Sequence, residues 1–243
     1  MNQDFYRGYS PKAPPTLGRW VARIVTGLVL VGLAIGALLS WGQAPFSDSK
    51  FEYGIERTYS GVIETWPYPI LRTTTSSFLL VAPGKHGLSG LAKAFEGRSV
   101  ELKGSLIERG RDHMLEVIPE SLHGTPPLSL PAAGQPADLG TVRLRGEIVD
   151  SKCYLGVMNP GNGKVHRDCA ARCISGGAPP AFIAADAAGE TKVLLLAGAD
   201  GRELNKEVLS FVGEPLEIQG QLVRAGANLV LKAEPSAFLR SPQ

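Results

Sequence analysis

The sequence predicts a mainly β protein, with an N-terminal transmembrane helix followed by two tandem small OB-like β-barrels. Three observations lead there. Nineteen residues without a charge run from Ile24 to Gly42, and one segment recurs at a constant offset of 116 residues. In addition, 18 prolines and 29 glycines are spread along the chain, which favours short strands and turns over a long helical bundle.

The 243 residues are 44% hydrophobic and 20% charged, the composition of a chain that folds. Residues 1–23 carry +3 (Arg7, Lys12, Arg19 and Arg23 against Asp4), so residues 24–243 sum to −1. Phosphate recognition needs a concentrated basic face, so a nucleic-acid partner is excluded as an expectation.

At 1.5 Å per residue, the run 24–42 is long enough to cross a bilayer core of about 30 Å. Trp20 and Trp41 bracket it, where interfacial aromatic rings belong. The excess of Arg and Lys before the run predicts a cytoplasmic tail over 1–23 and a bulk domain outside the cytoplasm. That places the chain as a single-pass protein of a bacterial inner membrane, mostly periplasmic. A cleaved signal with its edge at Gln43-Ala44 is the competing reading. The apolar run exceeds the usual core of such signals, and Pro45 would follow the cut, so a retained signal anchor is expected. Gly32 and Gly36 form a G-x-x-x-G, which in a single instance reads as ordinary membrane-helix composition.

Beyond the anchor, segment 97–119 aligns without a gap on 213–235, pairing Gly97/Gly213, Gly104/Gly220, Leu106/Leu222, Gly110/Gly226 and Leu115/Leu231. Each copy reads as strands, a short helix ending in glycine, then two more strands, the order of a five-stranded OB-like barrel. Gly61, Gly104, Gly146 and Gly220, each inside a strand pattern, suit the sharp coiling of a small barrel. Domain one is expected over 52–123 and domain two over 141–240. Between them, 124–140 contains four prolines and reads as an extended linker.

The second copy is longer, and all three cysteines fall in its extra stretch, DSKCYLGVMNPGNGKVHRDCAARCISGGAPP over 150–180. A helix over Val165–Ile174, stopped by Gly176-Gly177, would put His166, Cys169 and Cys173 on one face. Asp150 and Cys153 would meet that face from the preceding strand. Cys153, His166, Cys169 and Cys173 make a Cys3His set suited to a zinc or copper ion, with Asp150 and Met158 as auxiliary candidates. Asp150 could also accept the imidazole N–H rather than bind metal. Two alternatives stand beside the metal: a disulfide from Cys153 to Cys169 or Cys173 in a structural interaction module, and thiol oxidoreductase chemistry. The odd cysteine count and the histidine on the same face favour metal. No G-x-S-x-G, P-loop or Rossmann fingerprint occurs, and nothing in the sequence demands an enzyme.

The run D-S-x-C-Y…H-x-x-C-A-x-x-C…G-G-x-P-P, over roughly 146–183, resembles one found in uncharacterised single-anchor membrane proteins of bacteria. The wider layout resembles that of envelope metal and haem chaperones of respiratory-complex assembly. Here, however, His166 precedes the C-x3-C pair and no H-x-x-x-Y motif occurs. These likenesses imply an accessory or assembly factor whose partners are the inner membrane and a membrane redox complex or metallochaperone.

Overall fold

The computed structural model describes residues 14–43, 49–131, 134–186 and 188–241. Of the sequence features above, Asp4, Arg7, Lys12, Ala44 and Pro45 lie outside these residues. The chain divides into an N-terminal unit up to Pro45 and a body from Phe46 onward.

The first unit contains a single described helix, α1 (Pro15–Gly42), with no buried residue. It begins nine residues ahead of the charge-free run, so Arg19 and Arg23 of the expected tail lie on it. The physical reason is local: a proline in the first turn pre-sets the backbone, and nothing from Thr16 to Arg23 interrupts the helix. Among the described residues, α1 is the one helix long and apolar enough to cross a bilayer, with a mean hydropathy of 2.3.

The body is built from two closed five-stranded barrels. The first comprises β2 (Arg57–Glu64), β3 (Ile70–Arg72), β4 (Ser77–Val81), β5 (Ser99–Arg109) and β6 (Asp112–Val117), with β1 (Ser49–Phe51) and β7 (His123–Gly124) added alongside β5. Around the barrel the order is β2-β3-β4-β6-β5 and back to β2, with β4 and β6 parallel and every other pair antiparallel. A short helix α2 (Ser89–Ala92), continued by a 3-10 turn, lies between β4 and β5. The second barrel repeats this with β8 (Ala137–Asp150), β9 (Pro180–Ala185), β10 (Thr191–Ala197), β11 (Leu216–Ala225) and β12 (Asn228–Lys232), and β13 (Phe238–Arg240) joins β11. Again the third and fifth barrel strands, β10 and β12, are parallel.

The offset of 116 holds down to individual strand pairs. Ser105↔Glu116, Leu106↔Leu115 and Ile107↔Met114 in the first barrel become Gln221↔Lys232, Leu222↔Leu231 and Val223↔Val230 in the second. Gly61 faces Val100 as Gly146 faces Leu216. A Cβ on any of the four in-strand glycines would sit within 2.7 Å of a carbonyl oxygen on the neighbouring strand: Arg72, Glu116, Ile183 and Lys232. Close strand crossing in a small barrel therefore accounts for glycine at these positions.

Three large apolar cores lie among the described residues, besides a small cluster of Cys153, Cys173 and Ala178. Leu80, Val100, Leu102 and Leu115 fill the first barrel. Their counterparts Leu196, Leu216, Ile218 and Leu231 fill the second. The third core lies between the barrels, and here too the contributors are counterparts: Leu79 with Leu195, Val81 with Ala197, Ile107 with Val223, Met114 with Val230. Each barrel thus presents the same face to the other. Strands β4 and β10 carry unbroken apolar runs because one side faces a barrel interior and the other faces this interface.

Candidate metal centre

Residues 65–69 suffice to link the first two strands of barrel one. In barrel two the same connection is residues 151–179. It opens with a helical turn at Cys153–Val157, passes through the NPGNG bend, and returns as α3 (Arg167–Ser175). His166 caps α3 instead of lying inside it, and the helix runs one residue past the expected Ile174. The bend is held by Glu147 Oε1, which accepts the Gly163 N–H at 2.6 Å. Burial pushes the Glu147 carboxyl above its ordinary value.

The connection folds onto the end of β8 and brings donor atoms together in two overlapping groups. Cys153, His166 and Cys169 form one; Asp150, Cys153 and Cys173 form the other, with all donor atoms of a group within 4.8 Å of one another. Cys153, Cys173, His166 and Asp150 are all buried, and Cys169 is half-buried. The five residues Asp150, Cys153, His166, Cys169 and Cys173 could therefore hold a metal ion. Met158 belongs to neither group and is exposed.

Asp150 organises the site. Its Oδ1 accepts the Cys153 N–H at 2.8 Å and its Oδ2 lies 3.2 Å from His166 Nε2. Cys153 Sγ and Cys173 Sγ are 3.9 Å apart and unbonded, and all three cysteines are free. Two sulfurs bound tetrahedrally at about 2.3 Å to one metal would be roughly 3.8 Å apart, so this pair needs little adjustment.

A residue from the other barrel completes the site. Lys85, in the loop after β4, donates from Nζ to Cys169 Sγ at 2.9 Å and to Cys173 Sγ at 3.4 Å. The Cys169 contact pushes the Lys85 ammonium above its ordinary range. Cys173 is pulled down to about 7 by its hydrogen bond with Cys153, with the Lys85 charge adding to the effect. Cys153 moves up as the protonated partner of that bond, in a buried position beside Asp150. The cluster thus sets an ammonium against two of its three sulfurs.

The loop carrying Lys85 is clamped twice. Lys152, buried within the insertion, donates to the Ala82 and Gly84 carbonyls at 2.9 and 2.7 Å and pairs with Glu116 of β6. The Gly87 N–H donates to the Gly176 carbonyl at 2.9 Å. Here the chains touch backbone to backbone: a Cβ on Gly176 would lie 1.8 Å from the Lys85 carbonyl oxygen, and one on Gly87 would lie 1.9 Å from that of Gly177. The glycine pair that reads in the sequence as a helix stop is also the clearance for this docking.

The opposite side of the body repeats the arrangement without the chemistry. The short connection of barrel one places Tyr68 so that its hydroxyl donates to the Leu196 carbonyl at 2.6 Å and accepts from the Leu204 N–H at 3.0 Å. Each barrel's first connection therefore docks on the other's loop after its third barrel strand. Lys85 corresponds by the 116 offset to Gly201, which sits against Trp66. No sequence spacing links Lys85 to the cysteines, and only this internal symmetry marks its loop as the one facing the insertion. His86 and His123 are exposed, and His113 stacks on Phe78, so none of the three joins the site.

No family model, curated protein or solved structure matches this chain. The class of molecule is defined by its own features: an apolar N-terminal helix able to span a membrane, two closed barrels, and a Cys/His cluster able to hold a metal ion.

Proposed function

We propose that this chain is a membrane-anchored, periplasmic metal-binding protein. In this reading Cys153, His166, Cys169 and Cys173 hold one zinc or copper ion, and Asp150 orients the imidazole. Its role is that of an accessory or assembly factor beside a membrane redox complex, with the N-terminus in the cytoplasm of a bacterial cell. The barrels are read as OB-like on the strength of the 1-2-3-5-4 strand order, the parallel third and fifth strands, and the short helix between third and fourth.

The observation that carries the proposal is a pair of donor groups that share Cys153, one with His166 and Cys169 and one with Cys173 and the fully buried Asp150 carboxylate. Buried thiolates without a cation repel one another and stay protonated, and a divalent ion removes that cost while releasing protons. Soft sulfur donors with an imidazole suit zinc or copper(I) above magnesium or calcium. With Nε2–H donating to Asp150, the His166 Nδ1 carries the lone pair.

The test is elemental analysis of the full chain, purified in detergent under reducing conditions, with a free-thiol count alongside. One ion per chain is expected. Cys169→Ser or Cys173→Ser should abolish tight binding, His166→Ala should weaken it, and Asp150→Asn should have a smaller effect. A second reading, a Cys153–Cys173 disulfide in a structural module, draws on the same 3.9 Å sulfur separation. It wins if the reduced protein takes up neither metal, or if Cys153 is disulfide-bonded in the native envelope.

A further inference from the structure

A second site lies away from the thiols, in a cleft of about 760 Å³ between the barrels. Equivalent hairpins of the two copies flank it, residues 109–112 from barrel one and 224–229 from barrel two, and the start of β10 closes one side. Its volume falls in the range of small-molecule sites, about 300–1,000 Å³, and far exceeds what a simple ion needs.

The lining is basic although residues 24–243 as a whole sum to −1. Arg109, Arg111, Lys192 and Arg224 face Asp112 and Glu190. Lys192 is already engaged by Glu190 and Asp186. Burial pushes the Asp112 carboxyl upward from its ordinary value. Among the described residues, no hydrogen bond or ion pair engages the guanidinium of Arg111 or of Arg224. Arg109 stacks on the ring of Tyr154, 3.9 Å from its centroid, which fixes a third guanidinium at the cleft wall. Val193 and Leu229 add half-buried apolar surface.

Planar guanidinium forks match the paired oxygens of carboxylates and phosphates, and an apolar wall beside them accepts a ring or short hydrocarbon body. We infer that this cleft binds a small organic dianion, a dicarboxylate or a phosphate ester with an apolar body, held by Arg111 and Arg224 from opposite barrels. The site stands apart from the metal proposal, because none of the five cluster residues lines it.

The test is isothermal titration of the full chain in non-ionic detergent with chelator present, using phthalate, phenyl phosphate, inorganic phosphate and benzyl alcohol as probes. Phthalate or phenyl phosphate should bind saturably at one site, at least tenfold more tightly than inorganic phosphate or benzyl alcohol, and more weakly as salt is raised. The double variant Arg111→Gln/Arg224→Gln should lose at least tenfold in affinity. Both positions are exposed, and an unchanged melting temperature confirms that the fold is kept. Cys173→Ser should bind as the parent does, so failure of the metal reading leaves this result intact. Absence of saturable binding by both organic dianions overturns the inference. So does equal affinity for inorganic phosphate, or full affinity in the double variant.

Discussion

Replacing Lys152 with methionine tests how the two barrels are held together. The substitution keeps most of the aliphatic stem and removes the ammonium. It breaks the pair with Glu116 and leaves the Ala82 and Gly84 carbonyls without their donor. Breaking a buried ion pair by removing one partner costs about 3–5 kcal/mol. The Glu116 side chain keeps 16% exposure and can partly rehydrate, which points to the lower end, about 3 kcal/mol. For a body of this size each kcal/mol moves the melting temperature by about 2–4 °C, so a fall of roughly 6–12 °C is expected. Thermal unfolding of the full chain, followed by circular dichroism in the β region, reads this directly. The double variant Glu116→Gln/Lys152→Met should recover part of the loss, because the stranded carboxylate is then neutral. A loss below about 1 kcal/mol, or strict additivity in the double variant, would refute the assignment of Lys152 as the clamp.

Other outcomes follow from the same contacts. Lys85→Met removes the ammonium beside the thiols, so Cys173, pulled down to about 7 by its hydrogen bond with Cys153 first and by Lys85 second, should titrate at a higher pH in the variant. Thiolate absorbance against pH in the reduced, metal-free protein measures it; since a lowered thiol value means thiolate above that pH, the variant should show less thiolate at pH 8. Gly176→Ala places a Cβ 1.8 Å from the fixed Lys85 carbonyl and should destabilise the body by at least about 2 kcal/mol in denaturant unfolding, whereas Gly90→Ala, on helix α2 and meeting open space, should be neutral or stabilise by up to about 1 kcal/mol. A reporter active only outside the cytoplasm, fused after Gln243, should be active; activity from a cytoplasm-only reporter there would reverse the orientation. Limited proteolysis should cut first between Gly124 and Ala137, where the chain passes from β7 to β8.

Much of the fold is legible because it is written twice. The pairing of Gly104 with Gly220 and of Leu115 with Leu231 in the sequence becomes identical register in space. The in-strand glycines announce close crossings through the absence of a side chain. The cluster is partly legible for a similar reason: His166 at the cap of α3 and Cys169 inside it are three positions apart, so local spacing brings these two together, whereas Cys173 falls in the other donor group. Lys85 is another matter. Its contact with Cys169 spans 84 positions and two barrels, and no periodicity encodes an approach made by loops. Gly176 and Gly177 have two physical jobs, ending α3 and admitting the opposing backbone, and only the first leaves a local signature. Met158 is chemically a suitable ligand type, yet the extended backbone after Val157 leaves it on the surface.

Because matching faces of the two barrels meet, the body has the geometry of a symmetric dimer contained in one polypeptide. Joining the halves turns what would be a bimolecular association into an intramolecular one, with an effective concentration in the millimolar range for a short connection. Assembly then no longer depends on protein concentration, and the halves need not stay alike. One of the two docking positions keeps a tyrosine as a latch, and its counterpart is free to carry sulfur chemistry. A true homodimer would have to place both at each position.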